Sequence, residues 1–429
     1  MEGECYFGLL LFQVFSSPSI ASTSQESQGA VERSTLCVTL LSREWRSSFD
    51  GDLSTVNREL AIQLAKHPGV QVSVFLPQCS EDDKRIAANH GVKLIEAEEM
   101  TGVDPVDWLI NIPEDHAMDC IIGHGIHLGR QIPVIQQSHQ CKWIQIVHNA
   151  HEALAMYKSS AGAIPRGEQM QQTEIELCEL ADQVVAIGPK LAETYRRFLR
   201  SSEKHQDVID LTPSIFTEFS DVKQATDERK TFCVLVIGSG DSEDFNLKGY
   251  DLAAQAIAEL KENSYQLKFV CAPRGKGDEI AEKLLKHGID RSQLIVCSFN
   301  ESRETLARLF CEVDLAIMPS RSEGFGLIAL EALSAGLPVL VSGNSGLGEA
   351  LMKVPNGSNC VVDSEDPKLW ASKIRAVREK DRDVRLAESK YLREKYLEKY
   401  SWQEACGILV EKMQNLITGK VLYLLTCLA

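Results

Sequence analysis

Glu323 and Glu331 bracket the stretch EGFGLIALE, which is flanked by PSRS and ALSAGLPVL. Ahead of it, VDLAIMP (313–319) reads as a strand running into a short loop with Gly324 and Gly326. Leu327, Leu330 and Leu333 then carry the spacing of a helix. A strand, Gly-rich loop and helix in that order present free backbone N–H groups and a positive helix end to an anion. A carboxylate on each side suits neutral hydroxyls of the same ligand. A phosphate flanked by polyols is a sugar nucleotide.

Three other stretches carry candidate chemistry. In IVHNAHEALAMYK, His148 closes an apolar strand, His151 follows three residues later, and Lys158 ends the run. In VIGSGDSEDFNLKGYDLAAQAI (236–257), Gly238 and Ser239 close a strand, and an acidic loop with Asp241, Glu243 and Asp244 precedes Lys248. In FDGDLST (49–55), Gly51 precedes Asp52, a residue suited to capping the next helix. Arg274 in APRGKG and Arg321 in PSRSEG are further cations near strand ends, while His124 and His127 in GHGIH are placed either to face the cleft or to serve as ordinary loop residues, with nothing favouring the former.

These groups need a scaffold, and the apolar pattern supplies one. Strands are expected at 36–42, 70–77, 92–95, 119–124, 142–148 and 182–188, with helical stretches at 53–66, 167–181 and 189–200. The pattern restarts at 232–238 and continues through 266–271, 293–299, 313–319 and 338–342. Apolar strands alternating with helices imply parallel sheets covered on both faces. The expected architecture is α/β, with two Rossmann-like, doubly wound halves facing across a cleft. The halves cover 35–216 and 231–400, joined by a polar linker at 217–230 and followed by a terminal helix at 401–418. Ligands of such sheets lie outside the carboxyl ends of the strands.

Composition limits the partners. A net charge of −16 in 429 residues opposes a nucleic-acid ligand, which needs a basic face. Thirteen cysteines lie scattered without metal-site spacing and read as buried free thiols of a reducing, cytoplasmic compartment. Residues 5–15 are apolar like a signal peptide, but MEGE before them is acidic, so 1–34 is expected to be a leader without fixed structure, with secretion as the minor alternative. The apolar tail at 419–429 is too short to span a bilayer, and no longer apolar run exists.

PSRSEGFGLIALEALSAGLPVLVSGNSGLGE resembles the donor-site signature of the family-4 retaining glycosyltransferases, which have the GT-B fold. SWQEACGILVEKM (401–413) is similar to that family's terminal helix, which packs back on the first domain. AHEALAMYK (150–158) and PRGEQMQQTEIELCELADQVVAIGP (165–189) resemble the acceptor domain of inositol-phosphate N-acetylglucosaminyltransferases and sucrose-synthase-like enzymes. The resemblance implies that Glu323 holds hydroxyls of the transferred sugar and that Glu331 binds the ribose. It implies that the amides of Gly324, Phe325, Gly326 and Leu327 meet sugar and diphosphate, and that Lys248 meets the diphosphate. Gly51 falls in a loop that contacts phosphates. His151 matches the histidine beside the donor sugar, with His148 as a second candidate, and Lys158 matches a downstream basic residue.

Two positions depart from the family pattern. Ser239 stands where an arginine usually meets the diphosphate, a loss on the order of 2 kcal/mol; Arg274 and Arg321 are candidate substitutes. Asp52 stands where a second glycine is usual and disfavours a phosphorylated acceptor. The resemblance implies transfer of a hexosyl group, glucose or N-acetylglucosamine in type, from a nucleotide-diphosphate sugar, UDP-linked, to an acceptor hydroxyl. It implies neither metal nor resident cofactor. A catalytically weak domain that senses or scaffolds a sugar nucleotide is one alternative, and a sugar-nucleotide epimerase is another.

Overall fold

The computed structural model describes residues 35–46, 52–202, 208–271, 277–298 and 303–419. Seven strands form the first sheet: β1 (Leu36–Leu41), β2 (Val70–Leu76), β3 (Val92–Glu96), β4 (Cys120–His124), β5 (Lys142–Val147), β6 (Gln183–Ile187) and β7 (Ile209–Leu211). Six form the second: β8 (Phe232–Gly238), β9 (Tyr265–Cys271), β10 (Leu294–Ser298), β11 (Leu315–Met318), β12 (Val339–Ser342) and β13 (Val361–Val362). The orders are β3-β2-β1-β4-β5-β6-β7 and β10-β9-β8-β11-β12-β13. Every pairing is parallel, from Leu36 opposite Val70 in the first sheet to Phe232 opposite Tyr265 in the second. Both orders reverse direction about their first strand, as in doubly wound sheets.

The strands are apolar on both faces because both faces are covered. Along β1, Leu36, Val38 and Leu40 point into one apolar cluster, while Leu41 joins Phe75, Ile121 and Trp143 in another. The second sheet divides likewise: Val234 and Phe269 face a cluster of their own, and Leu235 and Val270 face the cluster that holds Leu36. One core is therefore continuous between the sheets. The helix Trp402–Thr418 contributes Trp402, Cys406, Leu409 and Met413 to it and lies against the helix Asp52–Ala65. The segment between the sheets contains a 3-10 turn, Thr217–Phe219, whose Phe219 is buried.

The expected strands are present with ends shifted by one or two residues, and β7 and β13 are additional edge strands. β11 begins at Leu315 rather than 313 because Asp314 is used otherwise: its carboxylate accepts from the Cys233 amide at 2.8 Å and from Arg229 at 3.2 Å. The described cysteines are free thiols, and Cys120, Cys178, Cys233, Cys271 and Cys406 are buried. Among the described residues no helix is long and apolar enough to cross a membrane, and no cluster of three His, Cys, Asp or Glu is placed to hold a metal. The apolar leader, the tail beyond 419, Gly51, the Asp52 side chain and Arg274 lie outside what is described.

Candidate functional site

The loops that follow β5, β6, β8, β11 and β12 meet one another, so the carboxyl ends of the two sheets face a common region. One close approach is at Gly324, just past β11. A Cβ there would sit 2.2 Å from the His148 carbonyl oxygen and 2.8 Å from Asn149 Oδ1, so only a glycine lets the two halves touch at this point. Phe325 is buried, with its ring against Gly188 at the end of β6. Gly326, at φ 102°, turns the chain into the helix Leu327–Ser334 through a left-handed conformation. The carbonyls of Gly324 and Phe325 accept from the amides of Gly346 and Leu347 at 3.1 and 2.8 Å. A trans peptide aims its N–H opposite its C=O, so the Phe325 and Gly326 amides point away from the helix Gly346–Met352. Leu327 is buried at the helix start.

Glu323 is 6% exposed and is held from two directions. Lys248 Nζ donates to both carboxylate oxygens at 3.1 and 2.8 Å, and Ser320 Oγ donates to Oε2 at 3.1 Å. Lys248 and Glu323, both expected at the donor, thus form one unit: a fixed carboxylate beside a cation. On the far side of Glu323, Lys190 Nζ reaches from the helix Pro189–Phe198 to the Asn344 carbonyl and side-chain oxygens, each at 2.7 Å, and to the Glu323 carbonyl at 3.4 Å. Burial lowers the Lys190 pKa, opposed by the charges of Glu323 and Glu349. A cavity of about 340 Å³ opens here, with Ala150, Leu154 and Lys190 on one side and Glu323, Gly324 and Asn344 on the other.

His151 opens the short helix His151–Ala155, and its Nε2 lies 3.2 Å from Glu174 Oε2. Gln145 Nε2 donates to the other Glu174 oxygen at 3.0 Å. Glu174 is 1% exposed, on the buried stripe of the helix Ala163–Leu180 that also carries Gly167, Gln171 and Cys178. A carboxylate so placed fixes the orientation of the imidazole. His148 is turned elsewhere. Its Nε2 lies 2.9 Å from Nδ1 of His124, both rings are buried, and burial lowers both pKa values, that of His148 to about 4.

The loop after β8, where the resemblance expects a diphosphate contact, is acidic. Ser239 follows the last residue of β8, Gly238, and its hydroxyl accepts from the Asp241 amide at 3.2 Å. The acidic loop beyond it reaches across to the first half. Asp244 pairs with Lys158 at 3.2 Å, Glu243 pairs with Arg166 at 3.2 Å, and the Ser159 amide donates to the Glu243 carbonyl at 3.2 Å. Arg321, a candidate substitute for the missing arginine, holds Asp251 through two bonds of 2.8 and 2.7 Å and Glu365 at 2.8 Å. It fastens the second half internally.

Glu331 lies 3% exposed, and its Oε1 accepts from Arg303 Nη1. Burial raises its pKa, with Arg303 opposing. Arg303, Glu218, Arg58, Glu174, Lys190 and Asn344 are the polar residues that sequence reasoning passed over. Glu174 had a signal, a charged residue on a buried helical stripe; the others meet only through the fold.

A family model described as Family 4 Glycosyltransferase in conflict systems matches residues 39–409. The D-inositol 3-phosphate glycosyltransferase of Corynebacterium urealyticum is 33% identical over 185 residues, 40% of this chain and 41% of that protein. The one from Mycobacterium marinum is 24% identical over 397 residues, 86% of this chain and 82% of that protein. The chain thus spans about two fifths of the first relative and most of the second. Sucrose-phosphate synthase from Thermosynechococcus elongatus superposes with a TM-score of 0.69 at 18% identity, over 90% of this chain and 100% of that one. HepE from Anabaena, solved with UDP-glucose, gives 0.67 at 13% identity, over 89% and 100%. These structural likenesses show a GT-B fold, with two Rossmann-like sheets. With a family match running from 39 to 409 of its 429 residues, the chain belongs to the family-4 glycosyltransferases.

Proposed function

We propose that the protein is a retaining glycosyltransferase that moves a hexosyl group from a UDP-linked sugar to an acceptor hydroxyl. The observation that carries this reading is the fixed Glu323–Lys248 pair beside the Gly324–Leu327 loop, at the contact between the halves, with Glu323 and Gly324 on the wall of a cavity. Glu323 accepts from hydroxyls of the sugar, and Lys248 together with the loop amides offsets charge on the diphosphate. The acceptor oxygen bonds to the anomeric carbon as the bond from that carbon to the diphosphate oxygen breaks on the same face. The acceptor proton passes to the leaving phosphate oxygen. His151, oriented by Glu174, polarises sugar and acceptor without forming a covalent bond.

The test is UDP release from UDP-glucose and UDP-N-acetylglucosamine across an acceptor panel, with donor binding followed by calorimetry. Release should fall on the order of 100-fold in Glu323→Ala and in His151→Ala, in line with loss of charge-assisted contacts. Absence of binding to any nucleotide sugar in the wild type would sink the proposal. A second reading, a sugar-nucleotide sensor with little turnover, is favoured by Ser239 and by the engagement of Lys158 with Asp244. Tight binding without release across the whole panel would select it.

A further inference from the structure

Four charges alternate across the molecule. Arg58, on the helix Asp52–Ala65 of the first half, donates through Nη2 to both oxygens of Glu218 at 2.9 Å. Glu218 sits in the 3-10 turn between the sheets and also accepts from Arg303 Nη2. Arg303 opens the helix Arg303–Glu312 and donates its other terminal nitrogen to Glu331 Oε1. Its guanidinium lies over the rings of Phe219 and Phe216, at 4.8 and 5.8 Å from their centroids. The planar head is therefore fixed by two carboxylates and two aromatic faces, and cannot be displaced without disturbing the turn.

This arrangement bears on what Glu331 can do. A ribose offers two vicinal hydroxyl protons, and an ionised carboxylate accepts from them more strongly than a neutral carboxyl. The Glu331 side chain is 4% exposed, so an unpaired carboxyl there would favour its neutral form. Burial acts against the charge of Arg303 as well, and Glu331 and Glu218 more than offset it, so its net shift is upward. Arg303 is the cation in contact with Glu331, while Glu218 and Arg58 act on it from farther off. Arg393, from the helix Arg382–Lys399, donates to the Ser334 carbonyl at the far end of the Glu331 helix, and Glu349 lies on the neighbouring helix Gly346–Met352.

We propose that Arg303 is the positioning residue for nucleotide recognition: it takes one carboxylate oxygen of Glu331 and aims the other at the vicinal hydroxyls of the donor's ribose. Arg303 does not touch the reacting atoms. It acts through Glu331, and Phe216, Phe219 and Glu218 fix its own position. The inference rests on the reading that Glu331 meets the ribose. The specificity it implies is for ribo- over 2′-deoxyribonucleotide sugars.

The experiment measures calorimetric affinity for UDP-glucose and for its 2′-deoxyuridine analogue, from pH 6 to pH 9, in the wild type, Arg303→Met, Arg303→Lys and Glu331→Gln. The wild type should prefer the ribose donor, and Glu331→Gln should abolish that preference. Arg303→Met should weaken UDP-glucose binding about tenfold or more at pH 7 while changing the deoxy analogue little. Its UDP-glucose affinity should rise with pH as the unpaired carboxyl ionises, and Arg303→Lys should fall between it and the wild type. A wild type that binds neither donor, or Glu331→Gln that keeps the preference, overturns the ribose reading and the inference with it. A preference lost in Glu331→Gln but intact in Arg303→Met overturns the inference alone, as does an equal loss for both donors at every pH. If Arg303→Met fails to fold, Arg303→Lys decides: a full wild-type preference in it overturns the inference.

Discussion

The His124–His148 pair shows how little a side chain's type says about its use. His124 ends β4 and His148 directly follows the neighbouring β5, at the rim where donor chemistry is expected. Their rings nonetheless face each other, 5.1 Å between centroids, and both are buried. One proton serves the hydrogen bond, and a second charge in the pair would be both desolvated and repelled. The His148 pKa falls from 6.5 to about 4. The unfolded chain protonates near 6.5, so folding stability is whole above that pH and declines as pH drops towards 4, by about 3 kcal/mol for His148. Urea midpoints at pH 7.5, 6.0 and 4.5 should track this loss in the wild type, and His148→Asn should show a shallower slope. Equal slopes would rule the pair out as its source. The sequence points to histidines in this region, but only the register of β4 and β5 decides which one turns inward. Glu323 and the Gly-rich loop are legible because strand, loop and carboxylate are adjacent in the chain. The Arg58–Glu218–Arg303–Glu331 relay is illegible because its members come from four separate segments.

At the scale of elements, strands with continuous apolar runs are easily read and short edge strands are not. β7 and β13 have three and two residues, too few to show a period, and they form because an existing sheet offers them an edge. The terminal helix is a different case. Trp402, Cys406, Leu409, Val410 and Met413 form a buried stripe at helical spacing, capped by Ser401, whose hydroxyl accepts from the Glu404 amide. Trp402 is 5% exposed, and its ring lies 6.3 Å from that of Phe216. Trp402→Ala should therefore cost about 3–5 kcal/mol of stability, while Ile408→Ala, on the exposed face of the same helix, should stay within about 0.5 kcal/mol. Chemical denaturation of the two variants measures both, and equal effects would mean that the stripe does not anchor the helix.

Among the described residues, two sheets share one apolar cluster and each packs a further one, with polar contacts across the rim from Lys190 to Asn344 and from Arg166 to Glu243. The acidic loop after β8 is the part of this rim with a consequence in time. Its pairs, Lys158–Asp244 and Arg166–Glu243, are partly exposed, so each holds no more than about 1 kcal/mol and is screened by salt. Such a clasp barely changes how stable the molecule is, but under the proposed function a sugar nucleotide entering between the two halves is expected to meet it. Raising ionic strength should quicken nucleotide-sugar dissociation a few-fold in stopped-flow traces. The Glu243→Gln/Asp244→Asn double variant should show fast exchange already at low salt and little further gain. An identical salt response in both proteins would refute the idea. On this account the loop sets the tempo at which the cleft exchanges its ligand, and local salt concentration sets the tempo of the loop.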